Sequence, residues 1–548
     1  MSDETRRFFR RAGGTGAAAA LSRALGMLRD ALLAALLGVG DVMDALVTAL
    51  RLPDLSRRLM QEGALTAEFV PEIARRFERE DDRGIEAASR YLVAVLRLWL
   101  VLSVLFLFLA EGATLALFSW GALGTRDELT RRLFAIALPF LPLVVGASLL
   151  AGALQAIGRF RAPAFASALL NVVWLAALAF CFASSGLDAM DSATVLAATL
   201  TLGGLVQFLM LSAAARQAGL TWREPQAEEK RLALRFALRA PMVAAALLVV
   251  PLCMALDGAW AWAASRSEGF PAYAYLPFSE NWSRRLAEGA ASAAYCSERI
   301  CMLPVGIAAS AIGAVALPAI AAAASRSSQP AVRREWTRAL RWATFLAVPA
   351  GAGIWFVGGP LSRALFGHGE AGPEAAERIG EWVVAYSFLI PPTAWGGILV
   401  RGLAATGALR FAAIWGLACV AAAFVADAVA TLEGQELALA WSTSAVAYIH
   451  AGGLALYASV RRQGLDPAWI ATLFKSAVAT GMMLACLVAV RATLLGNGDA
   501  ATENRALEDA LYVAAATLTG GTVYFAASYV LRMTEGQELF AARRVRKK

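Results

Sequence analysis

The chain has 548 residues, 59% of them hydrophobic, and a mean hydropathy of +0.58. Soluble domains are roughly 45–50% apolar, so this composition excludes an ordinary soluble globular protein and points to a polytopic membrane protein. The formal net charge is +8; basic loops facing anionic lipid account for it without a nucleic-acid partner.

Apolar runs long enough to cross roughly 30 Å of hydrocarbon recur along the chain. None alternates with the period of a barrel strand, so the spans are expected to be helical. In chain order they fall at 15–38, 42–72, 88–118, 132–157, 163–185, 192–215, 237–265, 290–324, 339–359, 380–406, 410–431, 436–459, 468–494 and 507–531, about fourteen in all. The basic start, "MSDETRRFFRRAGG", imitates a signal-peptide n-region. The run behind it carries Arg23 and Arg29 and has no clean cleavage site, so it reads as a retained first helix. Alternate loops hold most of the base: Arg75, Arg76, Arg79 and Arg83; Arg159 and Arg161; Arg223, Lys230 and Arg231; Arg326, Arg333 and Arg334; Arg461 and Arg462; and the tail "ARRVRKK". Both termini are therefore expected in the cytoplasm of a bacterial inner membrane.

Several chemistries find no support. The six cysteines form no CxxC pair, and His368 and His450 are the only histidines. A disulfide framework or a His-based metal site is not indicated. There is no nucleophile elbow and no phosphate-cradling loop, so the chain reads as a transporter rather than an enzyme.

Charge in the first two spans is the main functional signal. Arg23, Arg29, Asp30, Asp44, Arg51, Asp54, Arg57, Arg58 and Glu62 lie within otherwise apolar sequence. A charged side chain at the bilayer centre costs about 2.5–3.5 kcal/mol even on the lenient insertion scale. These residues must line a wet cavity or pair inside the bundle, and a cationic cavity implies an anionic cargo. Arg23 and Arg29 lie about 120° apart on a straight helix; either both flank a wide cavity or one snorkels to the interface. Arg51, Asp54 and Arg58 share a face and could form an ion-paired helix end, whereas Arg57 points elsewhere. Arg299 and Arg401 interrupt later spans and have snorkelling as their alternative.

A weak internal repeat runs through the chain. Leu52-Pro53 returns as Leu303-Pro304 and Arg159-Phe160 as Arg410-Phe411, both at an offset of 251. Pro71 and Pro318 end corresponding spans. The expected architecture is all-α: two pseudo-symmetric six-helix lobes, 1–230 and 231–462, around a central cationic cavity, with a further helix pair and basic tail at 463–548.

The pieces "SRALGMLRD", "GDVMDAL", "RLPDLSRRLMQEGALTAEFVP", "GRFRAPAFASALLN", "YCSERICMLPVGI" and "ALFGHG" resemble the MurJ (MviN) family, the lipid II flippases of the MOP exporter superfamily. The resemblance implies alternating-access movement of undecaprenyl-pyrophosphate-linked peptidoglycan precursor, lipid II, from the cytoplasmic to the periplasmic leaflet. Membrane lipids are implied as surroundings, and cell-wall synthesis or division machinery as a class of protein partner. The matched positions for the essential cations are Arg23, Arg29, Arg57 and Arg299, and similarity alone ranks Arg57 over Arg58. Asp44 matches an acidic position at the outer end of the second helix; there it could compete for the arginines and expel the cargo. Asp257, Asp427 and Thr443 match places where some members are thought to bind sodium, the one cofactor-like ion implied. Against it, Asp257 and Asp427 could be merely hydrated near the outer surface. Departures from the pattern are Met302 in place of an acidic residue, Ala423 in place of an asparagine, and a longer, more aromatic insertion at 265–289.

Other readings remain open at this point. A related MOP exporter of another polyprenyl-linked glycan shares the pattern. A drug exporter for cations would prefer acidic cavity residues. A membrane-embedded transferase would need a larger outer loop than the insertion carrying Glu268, Glu280 and Glu288.

Overall fold

A computed structural model of the chain describes residues 22–60, 69–78, 84–118, 125–184, 186–265, 286–325, 329–460, 468–494 and 505–538. Helix dominates these, and no strand occurs among the described residues. They form two compact units: residues 1–292 with 431–434, and residues 293–430 with 435–548.

Unit 1 contains α1 (22–37), α2 (Asp41–Arg58), α3 (Val70–Phe77), α4 (Gly84–Phe118), α5 (Thr125–Ala137), α6 (Phe140–Ala156), α7 (Arg161–Ala183), α8 (Ala189–Gln217), α9 (Ala227–Leu247) and α10 (Val249–Ala264). Helix α11 (Ala290–Ser325) begins in unit 1 and runs on in unit 2. Unit 2 holds α12 (Gln329–Phe366), α13 (Gly372–Ser387), α14 (Ile390–Ala405), α15 (Leu409–Leu432), α16 (Glu436–Ala458), α17 (Ala468–Leu494) and α18 (Arg505–Val530). Two breaks bend their helices sharply, by 75° between α9 and α10 and by 44° between α13 and α14.

Eight spans among the described residues are long and apolar enough to cross a membrane, and ten if each bent pair counts as one. The expected fourteen is not reached on this measure. The other four expected spans fall on α1, α2, α11 and α16, which are helical and carry most of the nominated polar residues. Helix α2 carries Asp41, Asp44, Arg51, Asp54, Arg57 and Arg58, which lowers its apolar signal, whereas α1 is described only over 22–37.

The pairs Arg159-Phe160 and Arg410-Phe411 each follow a glycine-terminated helix, a closure that α8 and α15 also make. Helices α6 and α14 both end on a left-handed glycine, Gly158 (φ 78°) and Gly407 (φ 82°). Each is followed by a closing bond back into the helix: the Arg159 amide donates to the Leu154 carbonyl (2.8 Å), and the Ala408 amide to the Leu403 carbonyl (2.8 Å). This is the six-to-one closure of a glycine-terminated helix.

Unit 1 is built around α6, which is apolar on all sides and contacts α2, α3, α4, α7 and α8. Small residues let these helices approach. A Cβ on Gly146 would meet the Phe208 ring at 2.8 Å, and one on Gly204 the Phe140 ring at 2.5 Å. At one end of the unit, Arg76 is sealed in an ion cluster rather than serving as a loop charge. Its guanidinium holds Glu72 (3.0 Å), Glu228 (3.0 Å) and Glu229 (3.3 Å) and lies over the Tyr91 ring. Glu229 also accepts the Gln226 amide at the start of α9, completing a capping box. The cluster thus ties α3 and α4 to α9.

In unit 2, α12 is the organising helix and packs against α13, α14, α17 and α18. Phe345, Met483, Leu487, Tyr512 and Tyr524 form an apolar core joining α12 to the final pair. The buried Tyr524 hydroxyl donates to the Phe345 carbonyl (2.8 Å) and is bonded to the Ser476 hydroxyl (2.9 Å). Arg363 grips Asp509 with two bonds of 2.8 and 2.9 Å. The α12 hydroxyl of Thr344 accepts both the Trp395 and Trp469 indoles.

The α6–α8 packing makes a direct prediction. Gly204→Ala forces the Phe140 ring aside and should cost about 1–3 kcal/mol, the usual penalty of overpacking. Thermal unfolding of the purified protein checks it; Phe140→Leu combined with Gly204→Ala should recover part of the loss.

Candidate functional site

Arg29 is held from several sides. Its Nε and Nη2 donate to Asp30 Oδ1 at 2.9 and 2.6 Å. Nη1 donates to Asn171 Oδ1 at 3.3 Å, and the guanidinium carbon sits 5.3 Å from the centre of the Trp174 ring. Asn171 is itself oriented, because its Nδ2 donates to the Ser22 carbonyl at 2.9 Å. Helix α7 thus supplies an acceptor and an aromatic face that fix an α1 arginine. The Arg29 side chain stays 16% exposed, so it is held and still able to meet a ligand. Asn171 and Trp174 were not singled out from sequence, although both lie in or just beyond the matched "GRFRAPAFASALLN" piece. Arg23 is the second described residue of α1 and is part-buried.

The α2 arginines divide differently from the expectation. Asp54 accepts both Arg57 (2.8 Å) and Arg58 (3.0 Å). The expectation that Arg57 points away from the Asp54 ion pair is thereby corrected: three- and four-residue spacings both reach one carboxylate. Arg57 is 35% exposed at its side chain and Arg58 only 7%, so Arg57 is the more available of the two. Arg51 reaches α10, donating to the Met254 carbonyl at 3.0 Å. Its guanidinium occupies the space a Cβ on Gly258 would fill, so only glycine permits this contact.

Asp44 is fully buried and its carboxylate is committed. It accepts the Gly289 amide (3.0 Å), the Ser292 amide (2.8 Å), the Ser292 hydroxyl (2.5 Å) and Arg126 Nη2 (3.1 Å). Gly289 and Ser292 open α11, so Asp44 caps that helix across about 245 residues of sequence. A carboxylate at a helix N-terminus satisfies orphan amides and complements the dipole. Gly289 has φ 84°, and a Cβ there would overlap the Val39 carbonyl. In this conformation Asp44 engages Arg126, which was not nominated, rather than a nominated arginine.

In unit 2, Arg299 is part-buried with its guanidinium carbon 4.5 Å from the Tyr295 ring centre, beside the buried Glu298. Arg401 donates to the Gly397 carbonyl of its own helix at 3.2 Å. Asp427 and Thr443 are both fully buried, and the Ser442 hydroxyl donates to Asp427 Oδ1. Asp257, in unit 1, is fully buried as well. The reading of Asp257 and Asp427 as hydrated surface groups is therefore corrected. No cluster of three His, Cys, Asp or Glu side chains fit to hold a metal occurs among the described residues.

The described residues form an all-helical bundle with partnered arginines in its polar helices, and solved structures share the fold. "Lipid II flippase MurJ, inward closed conformation" superposes with a TM-score of 0.69 at 18% identity, covering 94% of this chain and 98% of that one. A multidrug resistance MATE family transporter of the MOP superfamily, inward-facing, superposes at 0.60 and 17% identity, covering 80% and 96%. The family model "Lipid II flippase MurJ" matches residues 33–502, and the chain belongs to that family. A probable lipid II flippase MurJ of Rhizobium meliloti (strain 1021) is 31% identical over 385 residues, 69% of this chain and 66% of that protein. The lipid II flippase MurJ of Burkholderia cenocepacia is 27% identical over 377 residues, 67% of each. The aligned stretches thus span about two thirds of these relatives.

The Asp44 cap separates two substitutions. Asp44→Asn turns an amide donor toward Arg126 or the α11 amides and should cost about 1–3 kcal/mol. Ser292→Ala leaves the charged cap in place and should cost about 0.5–1.5 kcal/mol. Thermal unfolding of both variants checks the order; equal losses would contradict it.

Proposed function

We propose that this chain is a lipid II flippase, moving the undecaprenyl-pyrophosphate-linked peptidoglycan precursor from the cytoplasmic to the periplasmic leaflet by alternating access. The observation that carries the reading is the family match across residues 33–502, joined to an α1 arginine already oriented by Asp30, Asn171 and Trp174. The chain is then a multi-pass protein of the bacterial inner membrane with both termini in the cytoplasm.

The physical logic follows from the cargo. A pyrophosphate offers planar sets of oxygens that a guanidinium fork binds in pairs, and arginine stays charged at any working pH. Arg23, Arg29 and Arg57 are the proposed ligands of the diphosphate in unit 1, with Arg51 as a further contributor; Arg299 and Arg401 are proposed, by themselves, as the cargo-binding cations of unit 2. Because Arg29 is held before cargo arrives, little side-chain entropy is lost on binding. An inside-negative potential favours export of an anion by about 2.3 kcal/mol per charge per 100 mV. Two phosphate charges would gain several kcal/mol without ATP if the arginines stay behind. Cation coupling is a second proposed source of drive. Asp257, Asp427 and Thr443 present the hard oxygen donors that suit sodium, and a bound cation there would neutralise buried carboxylate charge.

Depletion of the protein followed by a leaflet-accessibility assay for lipid II tests the function. The expected result is loss of outer-leaflet precursor, restored by the wild-type chain and not by Arg29→Ala at equal protein level. Normal precursor access after depletion would overturn the function. Full rescue by Arg29→Ala would overturn the site.

A further inference from the structure

Arg126 stands outside every role assigned so far, yet it is held by partners on α2 and at the end of α10. It sits in the first turn of α5, its side chain only 10% exposed. Nη1 lies 2.9 Å from Asp41 Oδ1 and donates to the Ser265 carbonyl at 3.2 Å. Nη2 donates to Asp44 Oδ2 (3.1 Å), the Ser265 hydroxyl (3.1 Å) and the Trp262 carbonyl (3.4 Å). Its guanidinium carbon lies 5.9 Å from the Trp262 ring centre. One planar group therefore joins the start of α2, the start of α5 and the end of α10.

We propose that Arg126 is a positioning residue of the transport cycle: it holds Asp44 as the cap of α11 and so sets how readily this end of unit 1 opens. The argument is electrostatic. A fully buried carboxylate is expensive unless its charge is matched. Backbone amides and a hydroxyl supply hydrogen bonds to Asp44, but Arg126 supplies the only full positive charge among its partners. Without it, the cap carries an uncompensated anion, and the buried arrangement loses its advantage over a hydrated one. The Ser265 and Trp262 carbonyls at the end of α10 accept from Nη1 and Nη2, which helps fix the guanidinium in the plane that faces Asp44. A lysine would keep the charge but could not serve both carboxylates and both carbonyls at once.

The same residue marks where the aromatic insertion joins the bundle. Ser265 precedes residues 266–285, and Leu286, which follows them, donates its amide to the Ala264 carbonyl at 3.2 Å. Arg126 thus grips the root of the insertion that departs from the family pattern.

The inference rests on the flippase reading for its place in the cycle, but its geometric test needs no cargo. Ala291 lies in the first turn of α11 and is fully buried. Maleimide labelling of Ala291→Cys is followed in the purified full-length protein in nanodiscs. Native Cys301 and Cys419, buried in unit 2, serve as internal references. Adding Arg126→Ala should raise labelling at position 291 about tenfold, as expected when a local closed state loses one charge-assisted contact. Asp44→Asn should do the same, and the double variant should be no faster than either single one. Arg126→Lys should fall between, and it carries the test if Arg126→Ala does not fold. Unchanged labelling at position 291, or an equal rise at Cys301 and Cys419, would overturn the proposal. In cells depleted of the wild-type chain, Arg126→Ala should slow precursor export and Arg126→Lys should restore part of it. Raised labelling with undiminished export would overturn the role in the cycle. A failure of the substrate assignment would instead show as normal precursor access after depletion, with the labelling pattern intact.

Discussion

Charge inside apolar helices must be answered by the protein itself, because the hydrocarbon offers no water to do it. That constraint organises both the structure and the activity proposed for it. Arg29 is met by Asp30, Asn171 and the face of Trp174. Asp44 is met by Arg126 and the opening amides of α11. Arg76 is met by three glutamates. In the proposed function, the difference between a structural charge and a binding charge is one of residual exposure. Arg76 is 4% exposed at its side chain and has no face left for a ligand, whereas Arg29 and Arg57 retain 16% and 35%.

A carrier must also let go. A phosphate held by several unencumbered arginines would be bound too tightly for turnover. Arg29 and Arg57 each already share their charge with a neighbouring aspartate. Under the proposed function, cargo binding would exchange or share these partners rather than add to a bare cation, which would moderate affinity. The same partners hold the guanidinium ready between cycles.

Much of the architecture was legible in the sequence because bilayer thickness imposes a length on each apolar run. The polar helices were harder. Helix α2, with six charged residues in eighteen, reads least like a membrane span. Pairings were harder still. Asp44 is visible as an acid in an apolar helix, but its partners Gly289 and Ser292 are some 245 residues away and are small, common residues. Arg126 sits in "TRDELTRR", where charge on either side makes it look like an exposed loop residue. Arg76 was hidden likewise among the basic residues of a loop. Asn171 and Trp174 lay at α7 positions whose spacing is that of an ordinary packed face.

The central claim is that guanidinium groups carry this protein's anionic cargo, and the affinity of the purified protein in nanodiscs for a labelled pyrophosphate-linked polyprenyl lipid tests it most directly. Charge-assisted hydrogen bonds are worth about 1.5–3 kcal/mol. Arg29→Gln, which keeps hydrogen-bonding capacity but not charge, should therefore weaken binding by about ten- to a hundredfold. Equal affinity of wild type and Arg29→Gln would contradict the account.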